Sequence, residues 1–202
     1  LAAPELDQYP AIKQAIAGIS SQELQCQGTI GGELCRRPDC WYYRNGHGLL
    51  AKNGRMVSEG RNRYHAIFGN NGPARFVHPS RIAPALVALN ARVRVIGPGE
   101  QDESILPLEF FFRTPKDEQQ RETVLEPNQL LTHILLEPAE GLASATYEVR
   151  HGEGPDNPLA SAAAALRLSG GVVQEANIVL GHVAPTPWSS PEAVRAILGR
   201  AV

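Results

Sequence analysis

The segment Gly28-Thr29-Ile30-Gly31-Gly32 has the residue types that a phosphate asks of a backbone. Glycine tolerates close approach and unusual dihedrals, so successive N–H groups can converge on an anion, and the Thr29 hydroxyl adds a side-chain donor. A pyrophosphate suits such a loop. The segment is neither a Walker A loop nor the Rossmann fingerprint, and the same residues more commonly serve tight turns.

Cys26, Cys35 and Cys40 have eight and four residues between them, with His47 close by. A closed structural metal site needs four ligands, and there is no CxxC, so three thiols and an unplaced histidine read as packed free thiols with no metal site. The cluster Trp41-Tyr42-Tyr43 offers a stacking surface or an anchor for a long loop, and the anchor is the preferred reading. The six histidines form no HExxH or paired spacing. With no GxSxG elbow and no prominent carboxylate pair, no catalytic side chain and no self-contained hydrolase are expected.

These candidates sit in a chain of 202 residues, 43% hydrophobic, with a net charge of −2 and a pI near 6.3. That length allows one large domain or two small lobes with a real core. The charge creates no field for nucleic acid or an anionic membrane, and neither is expected as a partner. No apolar run reaches about 18 residues and no signal-peptide order opens the chain. An odd cysteine count, three, argues against a disulfide framework and points to the cytoplasm, with the periplasm as alternative for an exported complex. The start at Leu1 reads as the continuation of an upstream segment.

The elements that must position the motifs follow from periodicity. Ile12, Ile16 and Ile19 mark one helical stripe that Ser20 and Ser21 end. Residues 35–71, rich in Gly, Asn, Arg and aromatics, read as an elaborated loop. Ser80 can cap a helix carrying Ile82, Leu86 and Leu89, although Pro84 sits awkwardly near its start. Alternation over Ala91–Ile96 predicts a half-buried strand. A polar stretch over 114–120 suggests a boundary, giving lobes 1–120 and 121–202. The second lobe offers runs near Leu130–Leu136, Ala143–Arg150, Leu159–Leu168 and Val172–Val183, which predict a mainly antiparallel sheet. Ala160–Leu168 is helical by propensity and a strand if Ser169-Gly-Gly171 turns a hairpin. Ser189 or Ser190, Pro191 and Gly199 bound a terminal helix. The fold class is α+β.

Several segments in order carry a resemblance: Gly28–Gly32, Arg63-Tyr-His-Ala-Ile-Phe-Gly69, His78-Pro-Ser80 with Ala83–Leu89, and Leu180-Gly-His-Val-Ala-Pro-Thr-Pro-Trp188. Together they resemble the FAD subunits of the molybdenum hydroxylases, the group of xanthine dehydrogenase, carbon monoxide dehydrogenase medium chains and aldehyde oxidoreductase FAD subunits. The resemblance implies the second lobe of a PCMH-type FAD-binding domain, then a carbon monoxide dehydrogenase flavoprotein C-terminal-like lobe with an antiparallel sheet and flanking helices. It also implies FAD as cofactor, with Gly28, Thr29, Ile30, Gly31 and Gly32 along the pyrophosphate, and Glu33, Arg81, Leu131 and Asp156 as further cofactor-binding positions.

The resemblance further implies an electron-transfer component serving a molybdopterin-binding large subunit and a 2Fe-2S small subunit. Three departures qualify these expectations. Glu33 and Arg81 stand where the family has Asn and Asp. In the branch whose insertion holds a four-iron cluster, only Cys40 matches, with Leu, Val or Ala near the other positions, so no cluster is expected. The family's earlier glycine-rich lobe, which grips the flavin, has no counterpart in this sequence, so an isolated chain is expected to be short of half its cradle and not catalytically competent. The alternative function is a flavin-free structural or assembly module of such a complex.

Overall fold

Two antiparallel sheets enclose one short apolar helix in a computed structural model that describes residues 3–99, 101–152 and 156–201. Leu1 lies outside the described residues. Helix α1 (Pro10–Ala17) opens on a proline, whose missing N–H is harmless in the first turn, and buries Ala11, Ile12 and Ala15. Helices α2 (Gln22–Gln27) and α3 (Ile30–Leu34) are short and are capped by the Ser21 and Thr29 side chains. Single turns α4 (Trp41–Arg44) and α5 (Arg55–Glu59) punctuate the insertion. Helix α6 (Ala83–Ala88) then buries all six of its residues. The N-cap position is Ile82 and not the expected Ser80, which instead stands two residues earlier and accepts from the Ala83 N–H through its Oγ at 3.2 Å. Pro84 falls in the first turn, where its ring is tolerated.

Strands β1 (Arg92–Ile96), β2 (Glu103–Pro107) and β3 (Leu130–Leu135) form a sheet of order β2-β1-β3. The run Leu130–Leu136, placed with the second-lobe strands by its sequence neighbours, is thus a strand of the first sheet, with Val93 opposite Ile134 and Val95 opposite Leu131. Strand pairing across this distance leaves no local signature, which is why sequence order misplaced it.

Strands β4 (Leu142–Val149), β5 (Ala160–Ser169), β6 (Val172–Gly181) and β7 (Trp188–Ser189) form the second sheet in that order, and α7 (Pro191–Ile197), capped by Ser190, runs beside β6. The open choice over residues 160–168 resolves as strand. Gly170 and Gly171 have φ of 57° and 78°, the paired positive values that a two-residue type I′ hairpin requires. Alanine's helix preference is below about 1 kcal/mol per residue, and here small side chains gain more by packing. Ala163 and Ala165 are buried in one cluster with α6, β1 and Val179. Gly181 completes the close approach, since a Cβ there would lie 2.3 Å from Ser161 Oγ and 2.6 Å from Pro84 Cγ.

The other face of this sheet is also apolar. Tyr147 and Val149 of β4 pair with Ala162 and Ala160, while Ala162 and Ala164 of β5 face Leu180 and Ile178 of β6. Tyr147 is 75% and Val149 51% exposed.

The insertion has small cores of its own, Leu49, Leu50, Ala74 and Phe76 in one and Tyr42, Ala51 and Val57 in the other. Tyr42 acts as the expected anchor: it is buried and its hydroxyl accepts from the Arg61 N–H at 2.7 Å. The Glu118 carboxylate clamps the loop by accepting from Leu49 and Leu50 N–H, each at 2.8 Å. Between those points Ala51, Lys52, Asn53 and Gly54 have φ of 47°, 57°, 58° and 78°. Only the last is free of a Cβ penalty in this left-handed turn.

Two buried histidines seal the turn before α6 against the end of β6. His78 Nδ1 accepts from the Ser80 N–H at 3.3 Å, its ring meets Phe112 edge-on at 4.6 Å, and its N–H donates to the Ala184 carbonyl at 2.9 Å. His182 contacts Ser161 Oγ at 3.3 Å. Desolvation is the chief cause that pushes His78 down to about 3, with His182 and Arg36 adding to it. Desolvation likewise pushes His182 down to about 4 against the opposing Pro79 backbone, with Arg81 and Arg36 adding to the fall. Both stay neutral in the fold.

Two outcomes follow. Gly181→Ala should lower unfolding free energy by about 1–3 kcal/mol in urea titrations, whereas Gly152→Ala, with nothing within 4 Å of an added Cβ, should be near neutral. For the histidines, the unfolded chain binds protons as pH falls through about 6.5 and the folded chain does not. Stability should therefore be full well above pH 6.5 and decline as pH falls from 6.5 through about 4 and then about 3, and His78→Gln should flatten that decline in urea midpoints measured across the window.

Candidate functional site

The Thr29–Gly32 segment is the start of α3. Thr29 is extended, with φ −105° and ψ 151°, and its Oγ1 accepts from the Gly32 N–H at 3.0 Å. The first intrahelical bonds run from Glu33 N–H to Thr29 O at 2.9 Å and from Cys35 N–H to Gly31 O at 3.1 Å. The Ile30 and Gly31 N–H groups have no acceptor among the described residues, as the first donors of any helix lack one inside it. Gly28, Thr29, Ile30 and Gly32 are exposed. The segment, read from its residues as a tight turn or a phosphate loop, is a capped helical turn, because a threonine preceding a short run can satisfy one orphan donor itself.

Gly31 leans on β3: a Cβ there would sit 3.4 Å from the Leu131 side chain. At Gly32 a Cβ would lie 2.9 Å from Thr29 Oγ1 and disturb the cap. The backbone lip and Leu131 thus make one shelf. It is open rather than enclosed. The nearby cavity lined by Cys35, Arg37, Glu122 and Gln129 holds about 190 Å³, less than the roughly 300–1,000 Å³ of enclosed small-molecule sites.

The remaining candidates form a partly buried ionic network behind the shelf, centred on the buried Arg81. Glu33 Oε1 accepts from the Arg81 N–H at 3.0 Å and lies 3.5 Å from Arg36 Nη1. Arg81 is 4% exposed. Its guanidinium donates to the Gly18 and Asp156 carbonyls, and Nε lies 3.9 Å from Glu148 Oε1. Arg150 joins by donating to the same Gly18 carbonyl and pairing with Glu148 Oε2 at 2.6 Å. Two cations at the C-terminus of α1 complement its dipole. Asp156 takes part through its main chain, and its neighbour Asn157 donates to Asp39 Oδ2 at 2.6 Å.

Eight of the nine candidates are therefore linked: the Thr29–Gly32 lip touches Leu131, Glu33 follows the lip and holds Arg81, and Arg81 holds Asp156, while Gly28 ends α2 against Leu24. Sequence reasoning missed Gly18, Arg36, Glu148 and Arg150. Glu148 had a readable signal, since the alternation of β4 puts it on the same side as Leu142 and Ser144, an inward charge that needs a partner.

The thiols lie apart from one another in role. Cys26 is exposed, Cys35 ends α3 with its thiol pushed up by burial, and Cys40 Sγ lies 3.2 Å from His65 Nε2. Among the described residues, no group of three or more His, Cys, Asp or Glu is arranged to hold a metal ion. No helix among them is long and apolar enough to cross a membrane.

Comparison with known proteins places this geometry. The FAD binding domain in molybdopterin dehydrogenase matches residues 3–138, and the CO dehydrogenase flavoprotein C-terminal domain matches residues 145–202. The aldehyde oxidoreductase FAD-binding subunit PaoB of Escherichia coli K12 is 30% identical over 184 residues, covering 89% of this chain and 56% of that protein. The chain thus spans little more than half the length of this relative. Among solved structures, a Cu,Mo-CO dehydrogenase superposes with a TM-score of 0.65 at 23% identity, over 98% of this chain and 54% of that one. Quinoline 2-oxidoreductase from Pseudomonas putida 86 superposes with 0.60 at 18% identity, over 93% and 49%. At those identities the superpositions speak for the fold, while the sequence match carries the kinship. With residues 3–138 matching it, the chain belongs to the family of FAD binding domains in molybdopterin dehydrogenases.

Proposed function

We propose that the chain supplies one wall of an FAD site in an oxidoreductase complex, as the electron-transfer component between iron–sulfur clusters and an external acceptor. The single observation that carries the reading is the shelf: two backbone N–H groups with no acceptor among the described residues, a capped glycine pair and a half-buried Gly31 beside Leu131. Such a turn fits a pyrophosphate without any positively charged side chain, because converging N–H dipoles favour an anion. In this reading Thr29, Ile30, Gly31 and Gly32 face the phosphates and Leu131 packs beside them.

When bound, the flavin supplies the redox chemistry and the protein supplies orientation. No side chain of this chain acts on the complex's substrate. The partners in this proposal are a molybdopterin-binding large subunit and a 2Fe-2S small subunit, and the glycine-rich lobe of the relatives would complete the cradle. Glu33, Arg81 and Asp156 serve the site from behind, since the Glu33 carboxylate, the Arg81 guanidinium and the Asp156 main-chain carbonyl are already committed to protein partners.

That same commitment favours a second reading, a flavin-free assembly module, because side chains at two positions where the family uses polar flavin contacts are turned inward here. Visible absorbance of the purified protein titrated with FAD separates the two. Saturable uptake with a flavin spectrum supports the first; a colourless protein that never takes up FAD sinks it.

Gly31→Phe should abolish FAD uptake while the thermal melting temperature stays within a few degrees of wild type, because an added Cβ meets the Leu131 side chain at 3.4 Å, an ordinary contact. Undiminished uptake by a folded Gly31→Phe protein would remove the lip from the site.

A further inference from the structure

Helix α3 has five residues, far below the length at which a helix holds its shape unaided. Its placement therefore comes from what it is tied to. Leu34 is buried in the main core at one end, and the Thr29 cap is internal to the turn. Gly31 rests on Leu131 of β3, and the polar tie is Glu33, whose side chain is 16% exposed and which accepts from the Arg81 N–H at 3.0 Å.

The other side of that bond is stiff. Residues 78–83 are locked by the Ser80 N–H on His78 Nδ1 and the Ala83 N–H on Ser80 Oγ, and they lead directly into α6. The Arg81 side chain leaves in the opposite direction, to the Gly18 and Asp156 carbonyls and toward Glu148. One residue thus links the lip, by its main chain, to the end of α1 and to two points of the C-terminal segment, by its side chain. Arg36 repeats the pattern nearby, donating to the Pro79 carbonyl at 3.2 Å and to Asp39 Oδ2 at 2.7 Å.

We propose that Glu33 and Arg81 are positioning residues: the Glu33 carboxylate on the Arg81 N–H is a latch that fixes the Thr29–Gly32 lip over β3, and the Arg81 guanidinium makes that latch depend on seating of the C-terminal segment. The proposal rests on the lip being the FAD wall for its functional meaning, and on the latch geometry alone for its structural one. The two departures from the family pattern are then a single exchange. Residue 33 no longer reaches outward to a cofactor, and holds the cofactor's shelf instead.

The latch needs an acceptor at position 33, not a charge, so glutamine should rescue what alanine loses. In native-state hydrogen exchange, Glu33→Ala should speed exchange of the amides of Gly32 to Cys35 by at least tenfold, and Glu33→Gln by less than twofold. Arg81→Lys, which cannot hold two carbonyls in one fork, should also speed those amides although the lip sequence is untouched. FAD titration of the same proteins should give a dissociation constant about tenfold weaker for Glu33→Ala and within twofold of wild type for Glu33→Gln. Unchanged exchange in Glu33→Ala, or equal acceleration in Glu33→Gln, overturns the latch. A wild-type protein that takes up no FAD, yet gives the expected exchange pattern, overturns the flavin reading and leaves the latch standing.

Discussion

A six-residue helix with every residue buried must have apolar neighbours on all sides, and α6 imposes that condition on the chain around it. Toward the second sheet it requires side chains no larger than alanine at 163 and 165 and none at 181, where Pro84 presses against the end of β6. Toward the first sheet it requires Val93, Val95 and the Phe111–Phe112 pair. Its polar ends are met by Ser80 at the start and by Asn177, which donates to the Ala88 carbonyl at 3.1 Å. Since α6 is fixed from both sheets, the turn that precedes it is fixed too, and Arg81 is part of that turn. The shelf is thus built outward from the core rather than placed on the surface.

In the proposed FAD site this arrangement would offer a surface turn to an anionic ligand without unpaired positive charge nearby. Arg36, Arg81 and Arg150 all lie close behind the lip, yet each is paired with carboxylates or carbonyls. Their field is largely spent within the protein. Selectivity at such a shelf comes from backbone geometry and from shape, as in other sites where the glycine main chain reads the ligand.

Much of the architecture was legible in the residues. Helix α1 followed from the isoleucine stripe, β1 from alternation over 91–96, α7 from Ser190, Pro191 and Gly199, and the family from four ordered segments. What escaped was long-range. Nothing local tells Leu130–Leu135 to pair with β1 instead of a later strand, and nothing in Ala162–Ala165 outweighs helix propensity until the flanking strands and α6 are known. The site was half legible for the same reason. Glycine and threonine declare a backbone turn by type, whereas Glu33, Arg81 and Glu148 acquire their roles only when segments more than forty residues apart in sequence meet.

The outer face of the second sheet carries a consequence for how the chain behaves in water. Antiparallel sheets that face solvent normally alternate apolar with polar residues, but here both sides of β5 are alanine-rich and β4 turns Tyr147 and Val149 outward from an edge strand. A net charge of −2 gives copies little mutual repulsion. Self-association of the chain on its own is therefore favoured by this apolar plane and its open edge, and will respond to concentration by mass action more than to the screening of charge.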